Sequence, residues 1–271
     1  PVGLTPIQKW FLDNGDMPDK GHFNQSVILE GQAPMDQGAL HGVLGALTQH
    51  HDALRMYYTG GPGDYGQHNG GPDMAGYQLV SRDCQGYDSI SGELLAEVDR
   101  FQAGIDISKG PLFRALHLRL AEKDVLLLVC HHLVVDGVSW RILLEDLATL
   151  YRQHMEGLPY KLPPKTDSFR DWSSHMEQYA KGDAILAERD YWEGLFEREL
   201  GTLPLSDGAT RGQGRVLSQG FSLTEDQTRE LNSLHRVYRT EINDLLLTAL
   251  GVALRKTIGT TSVMVQMEGH G

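Results

Sequence analysis

The segment Cys130-His131-His132-Leu133-Val134-Val135-Asp136-Gly137-Val138-Ser139-Trp140 decides how this chain is read. It follows the apolar run Val125-Leu126-Leu127-Leu128-Val129, which has the length and make-up of a buried strand. It leads into residues 138–155, where Trp140, Leu143, Leu144, Leu147, Leu150 and Tyr151 share one stripe at helical spacing. Two histidines, an aspartate and a glycine therefore stand at a strand-to-helix corner, the kind of place where a scaffold exposes reactive groups. A neutral imidazole there suits general base work, because its ordinary pKa of about 6.5 lies near working pH. Asp136 would orient a histidine, or pair with an arginine and hold the turn. Spacing alone equally allows a satisfied core histidine beside a helix-capping aspartate. A metal site on His131, His132 and Asp136 lacks a second ligand cluster, and no HExxH occurs. Ser139 is not in a GxSxG elbow, so spacing assigns it no nucleophilic role.

Working outward, residues 113–120 and 125–130 read as two strands around Ala121-Glu122-Lys123-Asp124, a hairpin. Toward the N-terminus, Thr5 caps and Pro6 opens a short helix ending near Leu12. Residues 22–30 and 54–58 read as strands, and 36–50 as a helix carrying Leu40, Val43, Leu44 and Leu47. Residues 60–76 are rich in Gly, Pro and Asp and read as an exposed loop. They lack the GK[ST] ending of a phosphate cradle. A strand at 77–80 and an amphipathic helix at 91–103 follow. Leu158-Pro159-Tyr160-Lys161-Leu162-Pro163-Pro164-Lys165 is the clearest linker. Beyond it lie helices at 169–180 and 184–199, a strand-like stretch at 214–223, and a capping box at Thr224-Glu225-Asp226-Gln227. An apolar helix at 242–258 and a strand at 262–267 complete the pattern. Helices and strands mix throughout, which gives an α+β fold with a lobe boundary near 160: residues 1–160 form one lobe, and 161–271 a linker and the start of another.

The composition sets limits. The 271 residues are 40% hydrophobic and 22% charged, an ordinary globular balance. A net charge of −12 repels phosphate backbones and anionic bilayers, so neither nucleic acid nor membrane is an expected partner. No apolar run reaches the length of a membrane span, and the N-terminus lacks the pattern of a signal peptide. The start at Pro1 without Met suggests a piece of a longer chain. Cys84 and Cys130 are isolated, which fits a reducing, cytoplasmic setting.

His131-His132-Leu133-Val134-Val135-Asp136-Gly137 resembles the HHxxxDG motif of the condensation-domain superfamily of nonribosomal peptide synthetases. Related acyltransferases share HxxxDG, so the flanks carry the distinction. Val138-Ser139-Trp140-Arg141 resembles the epimerization branch rather than the Trp-Ser usual in condensation domains. Leu4-Thr5-Pro6-Ile7-Gln8-Lys9-Trp10-Phe11 with His22-Phe23-Asn24-Gln25-Ser26-Val27 looks like the opening motif of that branch, and Glu268-Gly269-His270-Gly271 like the start of its EGHGRE motif. The resemblance runs end to end.

The resemblance implies a two-lobed, chloramphenicol-acetyltransferase-like fold whose second lobe is incomplete here, since the family continues beyond this point. It implies inversion of the α-carbon of an aminoacyl or peptidyl thioester. The substrate rides on the 4'-phosphopantetheine arm of a peptidyl carrier domain, within a synthetase whose neighbouring domains are further partners. No cofactor is implied for the domain itself, and no metal. Carried over, His132 and Glu268 are the acid–base pair. His131 is structural. Asp136 holds the loop through Arg55, in His50-His51-Asp52-Ala53-Leu54-Arg55, which resembles the second family motif. Gly137 leaves room for the arm or permits the turn, and Ser139 sits near the substrate oxygen or caps the helix. Trp10 and Trp140 are expected in packing, and Leu245, Leu246 and Leu247 partly exposed. Two rivals remain: a condensation domain, in which His132 positions an attacking amine, and a non-catalytic carrier-docking module.

Overall fold

The computed structural model describes residues 1–15, 19–31, 33–197, 219–267 and 269. The chain divides into two compact units, Pro1–Ala187 and Glu188–Gly271.

The first unit is built on a four-stranded sheet. Its strands are β1 (Asn24–Glu30), β4 (Gln78–Asp83), β5 (Phe113–Arg119) and β6 (Asp124–His131), in the order β1-β6-β5-β4. The β5–β6 hairpin is antiparallel, β1 runs antiparallel to β6, and β4 runs parallel to β5. All eight residues of β6 are buried, which explains why its sequence is continuously apolar rather than alternating. Its side chains still alternate between two cores. Leu126, Leu128 and Cys130 face α2 (Gln37–His50) and α4 (Gly137–Met155), meeting Leu40, Val43, Leu44, Leu47, Trp140, Leu143 and Leu147. Val125, Leu127 and Val129 face the other way, into a cluster with Phe11 and Leu12 of α1 (Pro6–Asp13) and Leu94, Val98 and Phe101 of α3 (Glu93–Gln102). Burying one such Leu or Val contributes about 2 kcal/mol. The sheet is therefore a middle layer, and β6 is its most enclosed strand.

Local chemistry sets the ends of these elements. Gln8 accepts from the Thr5 backbone N–H at 3.0 Å, and Asp36 accepts from the Ala39 N–H at 2.6 Å, so each helix start has a side-chain partner. At the far end of the hairpin His117 and Asp124 meet at 2.9 Å with both side chains buried, and the same carboxylate oxygen accepts from Met35 N–H at 2.6 Å.

The Gly-rich stretch is not simply an exposed loop. Within it β3 (Gly66–Asn69) pairs antiparallel with β2 (Met56–Thr59). Gly70 and Gly76 are buried against the Arg55 side of the sheet: a Cβ on Gly76 would lie 2.7 Å from Thr48 Cβ and 3.0 Å from Arg55 Cγ. The stretch from Leu158 to Ser168 is irregular, as its prolines require, and it lies within the first unit. Gln153 ties Lys161 through both its amide groups, and Lys165 pairs with Asp52. α5 (Phe169–Tyr179) and the short α6 (Asp183–Leu186) close this unit.

The second unit contains α7 (Arg189–Phe196), α8 (Glu225–Tyr238) and α9 (Ile242–Ile258). The helix expected at 184–199 is thus broken into α6 and α7. The capping box opening α8 is present, with the Thr224 N–H donating to Gln227 Oε1 at 2.9 Å. Leu246 is exposed, while Leu245 and Leu247 are half-buried. Residues 262–267, expected as a strand, pair with no strand among the described residues. The strand-like stretch at 214–223 falls partly outside the described residues, and 219–223 is irregular. No described helix is long and apolar enough to cross a membrane, and both cysteines are free and buried.

Candidate functional site

β6 ends at His131, and the chain then turns through Leu133 to Val135 before α4 begins. This corner is pinned from several directions. The His132 N–H donates to Phe23 O at 2.8 Å, extending the β1–β6 pairing past the ladder. The Leu133 carbonyl accepts from Gln8 Nε2 at 3.2 Å and from the Tyr58 hydroxyl at 3.3 Å, all in the interior. Asp136 caps α4, its Oδ1 accepting from Ser139 N–H at 2.7 Å and from the Ser139 hydroxyl at 2.6 Å.

The two histidines are held quite differently. His131 is fully buried. Its Nδ1 accepts from Leu133 N–H at 3.1 Å, and its Nε2–H donates to Lys20 O at 2.6 Å. Burial pushes its pKa down to about 4, with the Lys20 carbonyl acting against that. Both ring nitrogens are committed to backbone, so His131 is a neutral strut and has no lone pair for a metal or a substrate.

His132 is half-buried. Its ring stacks on Phe23 at 5.1 Å, and Phe23 in turn stacks on Phe11 at 4.8 Å. Its Nδ1 lies 2.7 Å from Val135 O, a carbonyl that only accepts, so Nδ1 carries the proton. Its Nε2 lies 3.2 Å from Gln25 Nε2. Gln25 Oε1 accepts from Trp140 Nε1–H at 3.0 Å. The ring is thus held at both nitrogens, with Nε2 directed away from its own backbone and against the Gln25 amide.

One expectation changes, and two open alternatives narrow. Arg55 does not pair with Asp136. Its buried guanidinium donates to the backbone carbonyls of Thr48, Gln49 and Gly70, the last two at 3.1 Å. Arg55 therefore organises the end of α2 and the loop after β3, because carbonyl oxygens surround it there. Gly137 lies outside the left-handed region, so the turn does not demand glycine, and a Cβ there would enter open space. Of its two offered roles, leaving room is the one the geometry favours. Ser139 directs its hydroxyl to Asp136, which is the capping arrangement. Glu268, the other member of the expected pair, lies outside the described residues. Trp140 is buried as expected, whereas Trp10 is largely exposed.

Sequence reasoning assigned no role to Phe23, Gln25, Gln8 or Tyr58, although Phe23, Gln25 and Gln8 fall in quoted motifs. For Gln25 the link to the motif is tertiary. This glutamine is a polar residue at the start of a strand whose register places it opposite Cys130, next to the motif. Among the described residues the one cluster with metal-ligand chemistry is His50, His51 and Asp146, away from the motif. There His51 Nε2 and Asp146 Oδ2 lie 2.7 Å apart, a hydrogen bond tying α2 to α4. Burial lowers the His51 pKa more than Asp146 raises it.

The Condensation domain family model matches residues 2–271. Over its whole length the chain is 39% identical to tyrocidine synthase 2 of Brevibacillus parabrevis and 40% identical to surfactin synthase subunit 1 of Bacillus subtilis, covering 8% of each. The epimerization domain from the third module of tyrocidine synthetase B superposes with a TM-score of 0.85 at 39% identity, over 94% of this chain and 59% of that one. The first condensation domain of the calcium-dependent antibiotic synthetase, in complex with a substrate analogue, superposes with a TM-score of 0.67 at 22% identity, over 95% and 61%. At that lower identity the likeness is one of fold. The chain thus spans about three fifths of the solved domains it resembles.

Proposed function

The chain belongs to the condensation-domain family, and within it we propose that it is an epimerization domain of a nonribosomal peptide synthetase. The observation that carries this is the contrast between 39% identity at a TM-score of 0.85 to a solved epimerization domain and 22% at 0.67 to a solved condensation domain. Val138-Ser139-Trp140 after the motif and Glu268-Gly269-His270-Gly271 point the same way.

In this reading the substrate is an aminoacyl or peptidyl thioester on the phosphopantetheine arm of a carrier domain. The thioester acidifies the α-proton, and its carbonyl oxygen gains negative charge as that proton leaves. His132, its Nδ1 held by the Val135 carbonyl, takes or returns the proton through Nε2. Inversion needs a second acid–base group, and the motif resemblance makes Glu268 that group. The proton lost from one face is replaced from the other, so inversion needs no redox step and no cofactor held by the domain. His131 and Asp136 fix the two ends of the turn that presents His132, and Gly137 leaves space where the arm would approach. The arm's carrier is the one macromolecular partner that the chemistry requires, alongside neighbouring synthetase domains.

The test is stereochemical. The domain in its full-length protein is given a carrier loaded with one L-aminoacyl thioester, and the amino acid released by hydrolysis is resolved into enantiomers. A mixture of L and D forms is expected. Retained L configuration, with peptide bond formation when a second, amine-bearing carrier is added, would instead make it a condensation domain. Retained configuration with carrier binding alone would make it a docking module.

A further inference from the structure

Away from the motif, α2 and α4 bring three metal-ligating side chains together. His50 ends α2, His51 is its C-cap, and Asp146 lies on the buried side of α4. One ligand atom from each of the three lies within 4.8 Å of the others. Asp146 is buried and the histidines are half-buried, so the cluster is closed against the helices yet within reach of solvent. His51 and Asp146 meet at 2.7 Å, and because a carboxylate only accepts, Nε2 of His51 carries the proton. The His50 ring packs edge-on against His51 at 4.8 Å, and no hydrogen bond among the described residues engages its nitrogens.

We propose that His50, His51 and Asp146 form a binding site for a late first-row divalent cation such as zinc. Two imidazoles and a carboxylate suit such an ion, whereas calcium and magnesium prefer oxygen ligands throughout. Tetrahedral zinc holds neighbouring ligand atoms about 3.3 Å apart. His51 and Asp146 part slightly from 2.7 Å to reach that spacing, and His50, with no hydrogen bond to give up, closes by side-chain rotation. The ion takes the place of the proton between His51 and Asp146. The imidazole keeps one proton, now on Nδ1, and gives its Nε2 lone pair to the metal. Water from the open side completes the coordination, and nothing is oxidised or reduced. The C-terminal end of α2 carries partial negative charge that favours a cation there. Lys165, which acts on His51 as a like charge, is itself paired with Asp52. The bound ion fastens the end of α2 to α4, the two helices that cover one face of the sheet. The site is separate from His132 and does not depend on the proposed reaction.

The test is zinc stoichiometry at micromolar free metal, on the full-length protein and on its His50→Gln variant. The variant should fold like the parent, since His50 makes no hydrogen bond, and the parent is expected to hold one more zinc per chain. Asp146→Asn keeps an oxygen for His51 but loses the anionic ligand, and should lose the same ion. With Co2+ in place of zinc, the parent should show a visible absorption, typical of tetrahedral coordination, that His50→Gln lacks. Zinc should also slow amide exchange at the His51 N–H, which donates to Leu47 O at 2.9 Å, by about tenfold or more in the parent and not in the variant. Equal stoichiometry in the parent and a folded His50→Gln, or displacement of the ion by magnesium at equal concentration, would overturn the proposal. In the parent alone, exchange at His51 unmoved by saturating zinc would do the same.

Discussion

At the scale of single residues, the sharpest contrast is between adjacent imidazoles. His131 has its pKa pushed down to about 4 by burial, from an ordinary value near 6.5 in the unfolded chain. Between those values the unfolded state binds more protons, so the folded state loses stability as pH falls. The contribution is fully present above pH 6.5 and declines below it, by about 2 kcal/mol from pH 7 to pH 5. Denaturant unfolding at the two pH values should show this loss, and His131→Gln should remove most of it even though it lowers stability at pH 7. An unchanged slope in the variant would mean that other groups carry the dependence.

Arg55 gives a second residue-scale prediction. Its guanidinium serves three carbonyls, so Arg55→Ala strands buried acceptors and should destabilise the protein by about 3 kcal/mol. A double-mutant cycle with Asp136→Asn should show coupling below about 0.5 kcal/mol, since the two side chains do not pair. Coupling of several kcal/mol would restore the ion pair that the motif resemblance implies. The sequence offered a charged residue in the right motif but no means of seeing that carbonyls from Thr48, Gln49 and Gly70 converge on it.

At the scale of elements, what was legible followed periodicity. α4 and the β5–β6 hairpin stand where the apolar stripe and the continuous apolar run placed them, because burial of those side chains dominates local preference. β3 was hidden because its four residues, Gly-Gln-His-Asn, have weak strand propensity and owe their conformation to pairing with β2. The helix expected across 184–199 split because periodicity does not register a short interruption at Ala187 and Glu188. The site was legible in part for the same reason. The corner and its histidines could be placed from the strand and helix that flank them, but Gln25 reaches His132 from β1 through a tertiary contact. The far end of the hairpin offers a test of element-scale order. Asp124 serves both His117 and Met35 N–H, so Asp124→Ala leaves a buried imidazole and an amide unsatisfied. A loss of about 3 kcal/mol in urea unfolding is expected, with faster amide exchange at Met35. A loss under about 0.5 kcal/mol would mean that the pair is dispensable to the hairpin.

At the scale of the whole molecule, the sheet puts its most enclosed strand directly behind the corner that carries His131 and His132. β6 is packed on both faces, and its end is joined to β1 through His132 and Phe23, so the turn carrying His132 is mounted on the rigid centre of the first unit. Under the proposed function, a carrier domain would approach a chain whose net charge is −12, so surface complementarity would govern docking. The central claim is proton exchange at the α-carbon, and it has a direct measurement. The full-length domain is mixed with an L-aminoacyl-loaded carrier in D2O, and deuterium at the α-carbon is followed over time beside His132→Ala and Glu268→Gln. Deuterium should enter as the D form accumulates, and each substitution should slow that entry by at least about a hundredfold. A folded, carrier-binding protein whose α-proton does not exchange would contradict the claim.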